Sequence, residues 1–339
     1  MKQQSCYILA IESSCDDTAA AILRNDAVLS NIIATQDVHK QYGGVVPELA
    51  SRAHQQNIIP VVDQALKKAG VSKNELSAIA YTRGPGLLGS LLVGTSFAKS
   101  MSMGLDIPLI DVNHMQAHLL THFIKDEHPT PSFPFLGVTV SGGHTQLVLV
   151  KDYFDFELIG TTLDDAIGEA FDKCGKILGL GYPAGPIIDK LAKTGNPKAF
   201  SFPIPKVPGL NLSYSGFKTN VINFIHKNMQ KDADFIESNR NDLCASIQYT
   251  LIEIIFQKIE KAVEQHQVSK VVLGGGVSAN SGLRSKLEAT AVQKGWEVFL
   301  PPFGYTTDNA AMIGIVGYLK YQKEHFGSLK ESASARLKF

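Results

Sequence analysis

Apolar positions along this chain follow two periods. "YILAIES" (7–13) is an almost unbroken apolar run, and "TAAAIL" (18–23) repeats it after a short polar turn, so both are expected as buried strands of one hairpin. Residues 47–70 switch to the spacing of an amphipathic helix that stops at Gly70. "LSAIAYTRG" (76–84) returns to strand pattern, 89–104 reads as a buried helix, and "IPLIDVN" (107–113) as a strand running into the helical "HMQAHLLTH". Further on, 201–219 breaks both periods with prolines and predicts a surface loop or lid. Residues 240–267 predict a long helix, 269–295 a strand, glycine turn and helix, and 309–325 a final helix with small residues on one face. Alternating strands and helices of this kind predict an α/β fold.

The first hairpin has a counterpart. "FLGVTVSGGHTQLVLV" (135–150) shares the plan of 7–23: apolar strand, tight polar turn, a threonine, apolar return. With a one-residue gap, Thr18 falls opposite Thr145, which suggests a duplicated domain. The charged, proline-containing stretch 124–134 marks the junction. The expected division is 1–128 and 129–339, with the Pro-rich 201–219 as an insertion in the second domain and the final helix free to pack back on the first.

Composition narrows the class. The 339 residues are 44% hydrophobic and 19% charged, as in a well-buried globular protein. Lys+Arg and Asp+Glu both count 32, so no large basic face is forced and strong autonomous nucleic-acid binding is not expected. Cys6, Cys15, Cys174 and Cys244 form no C-x-x-C pair and no disulfide framework, which favours a reduced, cytoplasmic setting. The N-terminus lacks the features of a signal peptide. No run reaches the roughly 18 apolar residues of a membrane span, so no membrane association is expected.

Several loops could carry chemistry. "GPGLLG" (84–89) matches the dinucleotide fingerprint but comes late in the chain, and Asp106 sits in a turn rather than at a strand end, so tight helix packing is favoured over NAD binding. There is no P-loop motif. "VSGGHT" (140–145) offers the N–H groups of Ser141, Gly142 and Gly143 to a phosphate with no Cβ in the way, or is an ordinary hairpin turn. "ESSCDDT" (12–18) offers hydroxyls and carboxylates. "GGGVSAN" (274–280) opens a helix after a strand, and Asn280 could read an adenine edge or a ribose. His114 and His118, at i and i+4, lie on one helix face and can reach one ion. His122 is about 12 Å from His114 at about 1.5 Å per residue, too far to share an ion with bonds of about 2 Å. A third ligand must come from elsewhere. Asp308 in "PPFGYTTDNAA" (301–311) is one candidate, and is equally a candidate helix N-cap. Two imidazoles and one carboxylate would suit non-haem Fe(II), with Zn as an alternative; two structural histidines are the other reading.

Taken together, "KSMSMGLDIPLIDVNHMQAHL" (99–119), "IESSCDDT", "GGVVPELASRAH" (43–54), "RGPGLLGSL" (83–91), "VSGGHTQL", "DDAIGEAFDKCGKILGLGYPAGP" (164–186), "SYSGFKT", "LGGGVSAN" and "TTDNAAMIG" resemble, in order and over nearly the whole chain, the tRNA adenosine threonylcarbamoyltransferases. This is the bacterial TsaD family, once misnamed O-sialoglycoprotein endopeptidases. The resemblance implies a duplicated actin-like fold, shared with the heat-shock chaperone ATPases and ribonuclease H-like in each half, with two domains around a nucleotide cleft. It implies one Fe(II) per subunit, replaceable by Zn in vitro, at His114, His118 and Asp308. It also implies substrate contacts at Thr139, Val140, Ser141, Gly142, Gly143, Asp172, Gly185, Asp189 and Asn280.

The implied reaction moves threonylcarbamoyl from threonylcarbamoyl-AMP to N6 of the adenosine 3′ of the anticodon, in tRNAs reading codons that begin with A. AMP leaves. Implied partners are the tRNA anticodon loop, a TsaB-type paralogue and a TsaE-type small ATPase. Two departures stand out: Ser13 where the family often has Thr, and Ala184 for the first Gly of the usual "YPGGP". No general base is assigned. The alternatives are an ATP-dependent sugar-kinase-like enzyme, an ATP-binding scaffold, and a metalloprotease. Met115 stands where the last would need its Glu.

Overall fold

The computed structural model of the chain describes residues 5–339. They form two units, one holding residues up to Thr130 together with Pro301–Phe339, the other Pro131–Leu300.

In the first unit β1 (Tyr7–Glu12), β2 (Asp17–Arg24), β3 (Ala27–Thr35), β4 (Ala78–Gly84) and β5 (Leu109–Asn113) form one sheet in the order β3-β2-β1-β4-β5. β1 pairs antiparallel with β2, Ile8 opposite Leu23, and parallel with β4, Ile8 beside Ala78. Helices cover both faces, so Ile8 to Ile11 are all fully buried and the strand reads as a continuous apolar run. α1 (Pro47–Ala69) and α2 (Leu88–Leu105) lie on one face, where Ile58, Val61, Val62 and Ala98 pack with Leu9, Ile11 and Ile22. α3 (His114–Leu120) follows β5 without a break.

The second unit repeats the plan. β6 (Phe135–Val140), β7 (Thr145–Asp152), β8 (Asp155–Thr161), β9 (Lys270–Gly274) and β10 (Glu297–Phe299) run in the order β8-β7-β6-β9-β10, the same topology element for element. Its helices are α4 (Ile167–Ile177), α5 (Gly185–Ala192), α6 (Ser215–Met229), α7 (Phe235–Ser238), α8 (Arg240–His266) and α9 (Ser281–Lys294). Leu243, Ile247, Leu251 and Ile255 of α8 recur every fourth residue and enter the core beside Leu136, Val138 and Leu273. The aligned threonines play parallel parts. Thr18 meets His54 Nδ1 of α1 at 2.8 Å, and Thr145 Oγ1 accepts the N–H of Ile167 at the start of α4, also at 2.8 Å.

α10 (Ala310–Gln322) returns to the first sheet and packs on β1, β2 and β4. Its first eight residues, Ala310 to Gly317, are all buried. A Cβ on Gly317 would come within 2.5 Å of Ala80 Cβ, so the small residues let this helix lie close to the sheet. For that reason 301–339 belongs to the first unit, with the final helix packed back on the first sheet.

Two further differences have local causes. β3 and β8 went unread because both are partly exposed strands without clean alternation. Residues 201–214 form a partly exposed loop, as expected, but one anchored to the second unit. Phe202, Leu210, Leu212 and Tyr214 are buried, and Leu212 exchanges backbone hydrogen bonds with Thr161 and Leu163. Asp164 then accepts from Ser213 Oγ, from the N–H and Oγ of Ser215, and from Tyr214 N–H, which pins "SYSG" to the second unit.

Candidate functional site

α3 begins at the C-terminal end of β5 because Asn113 caps it, its Oδ1 accepting the N–H of Met115 at 2.9 Å and of Gln116 at 3.3 Å. His114 is therefore the first helical residue, and His118 lies one turn on along the same face. Their ring centroids are 4.7 Å apart. Asp308 arrives from just before α10. It is not the helix cap, because Asn309 fills that place by accepting Met312 N–H at 3.0 Å. Asp308 is left to face the histidines: its Oδ1 lies 3.4 Å from His114 Nε2 and 3.3 Å from His118 Nε2. The three ligand atoms all lie within 4.8 Å of one another.

The donor set fits a metal ion. Both nitrogens of His118 are buried without a hydrogen-bond partner, although Asp308 is at ion-pair distance, so the carboxylate sits off the direction a ring N–H would use. Unsatisfied buried polar atoms are costly, and a shared cation at that point would satisfy Nε2. Two imidazoles and a carboxylate are a known set for Fe(II) or Zn. His122 stands outside the cluster.

Electrostatics agree with a site that holds positive charge. Burial alone would depress His114, but the carboxylates of Asp308 and Glu12 hold it well above the ordinary histidine value. Burial would raise Asp308, yet His114 and His118 hold it well below the usual carboxylate range. Burial pushes His118 down.

Glu12, the last residue of β1, belongs to this group and was not singled out from the sequence. It is fully buried. Its Oε2 lies 3.0 Å from His114 Nδ1 and accepts Thr82 Oγ1 at 2.6 Å; Oε1 accepts the N–H of Ser14 at 2.5 Å. The one signal available was an acid closing an otherwise apolar strand.

The remaining residues lie in the second unit, where β6 and β9 run parallel with Thr139 beside Gly274. The turn after β6 closes on itself, with Ser141 N–H donating to His144 O at 2.8 Å and His144 N–H to Ser141 Oγ at 3.0 Å. The N–H groups of Gly142 and Gly143 take no part in these bonds, and a Cβ on either would meet nothing within 4 Å. The turn does not need glycine for its own packing there. The hydroxyl of Thr139 is buried and unpartnered. Gly168, at the start of α4, packs on the turn and donates to Ser141 O. Val140 is backed by Gly275, where a Cβ would fall 2.5 Å from Val140 O.

The polar candidates also hold the scaffold. Asp172 Oδ1 accepts Ala184 N–H at 2.7 Å, just before Gly185 opens α5. Burial raises the Asp172 carboxyl, and the N–H groups of Ala184 and Gly185 oppose that. Asp189 Oδ1 accepts from Ser281 Oγ at 2.8 Å, at the start of α9. Asn280 caps α9 through Leu283 N–H at 2.9 Å and donates to Gln248 Oε1 at 2.7 Å. A short 3₁₀ turn, Gly276–Ala279, stands between the glycines and this cap.

The "GPGLLG" stretch is explained by packing. A Cβ would fall 2.0 Å from Ser334 O at Gly84, 2.4 Å from Ser14 O at Gly86 and 2.3 Å from Ser51 Oγ at Gly89. Asp106 ends α2 in a left-handed conformation and is no ribose ligand at a strand end. In "ESSCDDT" the Ser13 hydroxyl already donates to Ser90 O.

The sequence model of the tRNA N6-adenosine threonylcarbamoyltransferases, TsaD, matches residues 27–315. The chain belongs to this family. It is 63% identical to the threonylcarbamoyltransferase of Christiangramia forsetii over 100% of both chains. With that of Riemerella anatipestifer it shares 58% over 99% of this chain and 98% of the other. As a threonylcarbamoyltransferase family member it is an acyltransferase.

Among solved structures, full-length HypF in the phosphate- and nucleotide-bound form aligns with 97% of this chain and 48% of its own, at 15% identity and TM-score 0.64. Component A of (R)-2-hydroxyglutaryl-CoA dehydratase from Acidaminococcus fermentans aligns with 94% and 99%, at 17% identity and TM-score 0.54. These likenesses are of fold: the duplicated actin-like, ribonuclease H-like ATPase fold. No helix among the described residues is long and apolar enough to cross a membrane.

Proposed function

We propose that this threonylcarbamoyltransferase transfers the threonylcarbamoyl group of threonylcarbamoyl-AMP to N6 of the adenosine 3′ of the anticodon in tRNAs reading codons that begin with A. The observation that carries the site is the meeting of His114, His118 and Asp308, from distant parts of the chain, around His118 nitrogens that have no other partner. These three residues would hold Fe(II), with Zn able to replace it in vitro. When bound, such an ion polarises a carbonyl as a Lewis acid.

The chain's own residues do the rest. The free N–H groups of Gly142 and Gly143 suit the adenylate phosphate. Thr139, Val140, Ser141, Gly185, Asp172, Asp189 and Asn280 would orient ribose and adenine, with Asp172, Asp189 and Asn280 also fixing the starts of α5 and α9. The N6 amine attacks the carbamoyl carbon, the bond from that carbon to the phosphate oxygen breaks, AMP leaves and N6 gives up one proton. The donor is already activated, so positioning and charge stabilisation supply the catalysis. A water-activating Glu would be harmful here, and Met115, 2% exposed, is a core residue in that place.

The acceptor base must leave its stack to react. With a net charge of zero, tRNA binding would be shared with helpers, for which the family resemblance suggests a TsaB-type paralogue and a TsaE-type ATPase. Four free cysteines suit a cytoplasmic location.

The test is to incubate the chain and these partners with threonine, bicarbonate, ATP, the enzyme that makes the adenylate, and unmodified tRNA. The nucleosides are then analysed by mass spectrometry. Threonylcarbamoyladenosine is expected, and is expected to disappear with Asp308→Asn, which keeps the shape but loses the anion. Full transfer by a metal-free Asp308→Asn protein would remove the three residues from the reaction.

A further inference from the structure

We infer that Glu12 is a positioning residue that sets His114 for metal binding, fixing the proton on Nδ1 so that Nε2 is the atom presented to the ion. The inference rests on the reading of His114, His118 and Asp308 as a metal site.

The geometry leaves Glu12 few other uses. It is the one acid in β1, fully buried, in a strand whose other buried residues are apolar. A buried carboxylate is expensive unless donors surround it. Three do: the N–H of Ser14 at 2.5 Å, the hydroxyl of Thr82 at 2.6 Å and Nδ1 of His114 at 3.0 Å. With Oε2 an acceptor, Nδ1 must be the protonated nitrogen, because a carboxylate cannot donate. The Ser14 hydroxyl, 3.2 Å from Nδ1, crowds the same side of the ring. That leaves Nε2, on the opposite edge, turned toward Asp308 Oδ1 at 3.4 Å.

A histidine ligand whose second nitrogen donates to a carboxylate is held in one tautomer and one ring orientation, and becomes a more basic ligand. His118 lacks this support, since neither of its nitrogens has a hydrogen-bond partner. The two ligands therefore differ. The His114 ring is oriented by a hydrogen bond, and the His118 ring by packing alone.

A purely structural acid at the end of β1 would act on folding and leave the metal indifferent. The experiment separates the two. Zn(II) and Co(II) alone are titrated into the metal-stripped full chain, wild type and Glu12→Gln, with circular dichroism to verify the fold. Glu12→Gln keeps the shape but removes the charge, and with its oxygen on the N–H of Ser14 its amide NH2 faces Thr82 and His114 Nδ1, where it can donate but not accept. We expect affinity to fall about 10–100-fold and the visible Co(II) spectrum to shift, with the fold retained. Wild-type affinity and an unchanged spectrum in Glu12→Gln would overturn the inference.

If Glu12→Gln does not fold, the wild type itself decides. In the Zn(II)-loaded protein with ¹⁵N-labelled histidine, His114 must show a protonated Nδ1 and a metal-bound Nε2. The opposite assignment overturns the inference. A wild-type chain that takes up neither ion, and behaves like His118→Ala, fails the metal reading itself and this inference with it.

Discussion

Within the acid-rich turn after β1, Asp17 is the residue least at ease with its charge. Its Oδ1 is buried without a partner. Burial pushes its carboxyl up to about 7, with a hydrogen bond from Thr35 opposing and Asp308, Asp16 and Glu12 adding repulsion. An acid with a raised folded-state pKa favours the protonated fold. Its contribution to stability is fully present below the unfolded value near 3.8 and is lost as pH rises through about 7. Metal-free protein should therefore lose stability across that window. In Asp17→Asn the loss should be smaller by about 1–3 kcal/mol, as read from urea midpoints at pH 5 and pH 8. Equal pH slopes in the two proteins would contradict the assignment. Residue type was legible here; charge state was not, because it depends on Asp308 and Glu12 gathering around the same turn.

Among the elements, α3 and the turn before α10 carry the proposed metal ligands, and each helix is placed by an asparagine cap. Asn309 is fully buried; it accepts Met312 N–H and donates to Thr307 O at 2.8 Å. Asn309→Ala should cost about 0.5–2 kcal/mol in urea unfolding, as for other lost caps. It should also weaken Zn(II) uptake, because the residue before the cap is the proposed ligand Asp308. A loss of stability with metal affinity intact would show that Asp308 is held by something else. The sequence offers Asp308 as either a ligand or a cap, since Asp and Asn cap helices about equally well. Which one faces the helix and which the histidines is decided by how α10 docks on the first sheet, and that contact joins opposite ends of the chain.

For the molecule as a whole, net charge matters more than any single group. Lys+Arg and Asp+Glu balance at 32 each. Phosphate contacts give tRNA affinity its strength and its salt dependence. A neutral chain has few cations to spare for them. The isolated protein is expected to complete few turnovers on tRNA supplied with ready-made adenylate, and the partner proteins to restore many. Steady multiple turnover by the chain alone, followed by nucleoside mass spectrometry over time, would show that it needs no help.

The sequence by itself determined what local chemistry determines. The strand and helix periods, the doubled hairpin with Thr18 and Thr145, the glycines of the turn after β6, and the His114/His118 pair all lie within short stretches, where spacing alone fixes which side chains share a face. Ordered family blocks added the membership that no single motif carried. The tertiary structure decided the rest. It docked α10 on the first sheet, anchored the 201–214 loop in the core through Phe202 and Leu212, gave the capping role to Asn309 and left Asp308 for the histidines. It also set Glu12 behind His114. Each of these depends on contacts between residues far apart in the chain, made when apolar faces are buried together, and no period or spacing along the sequence records them.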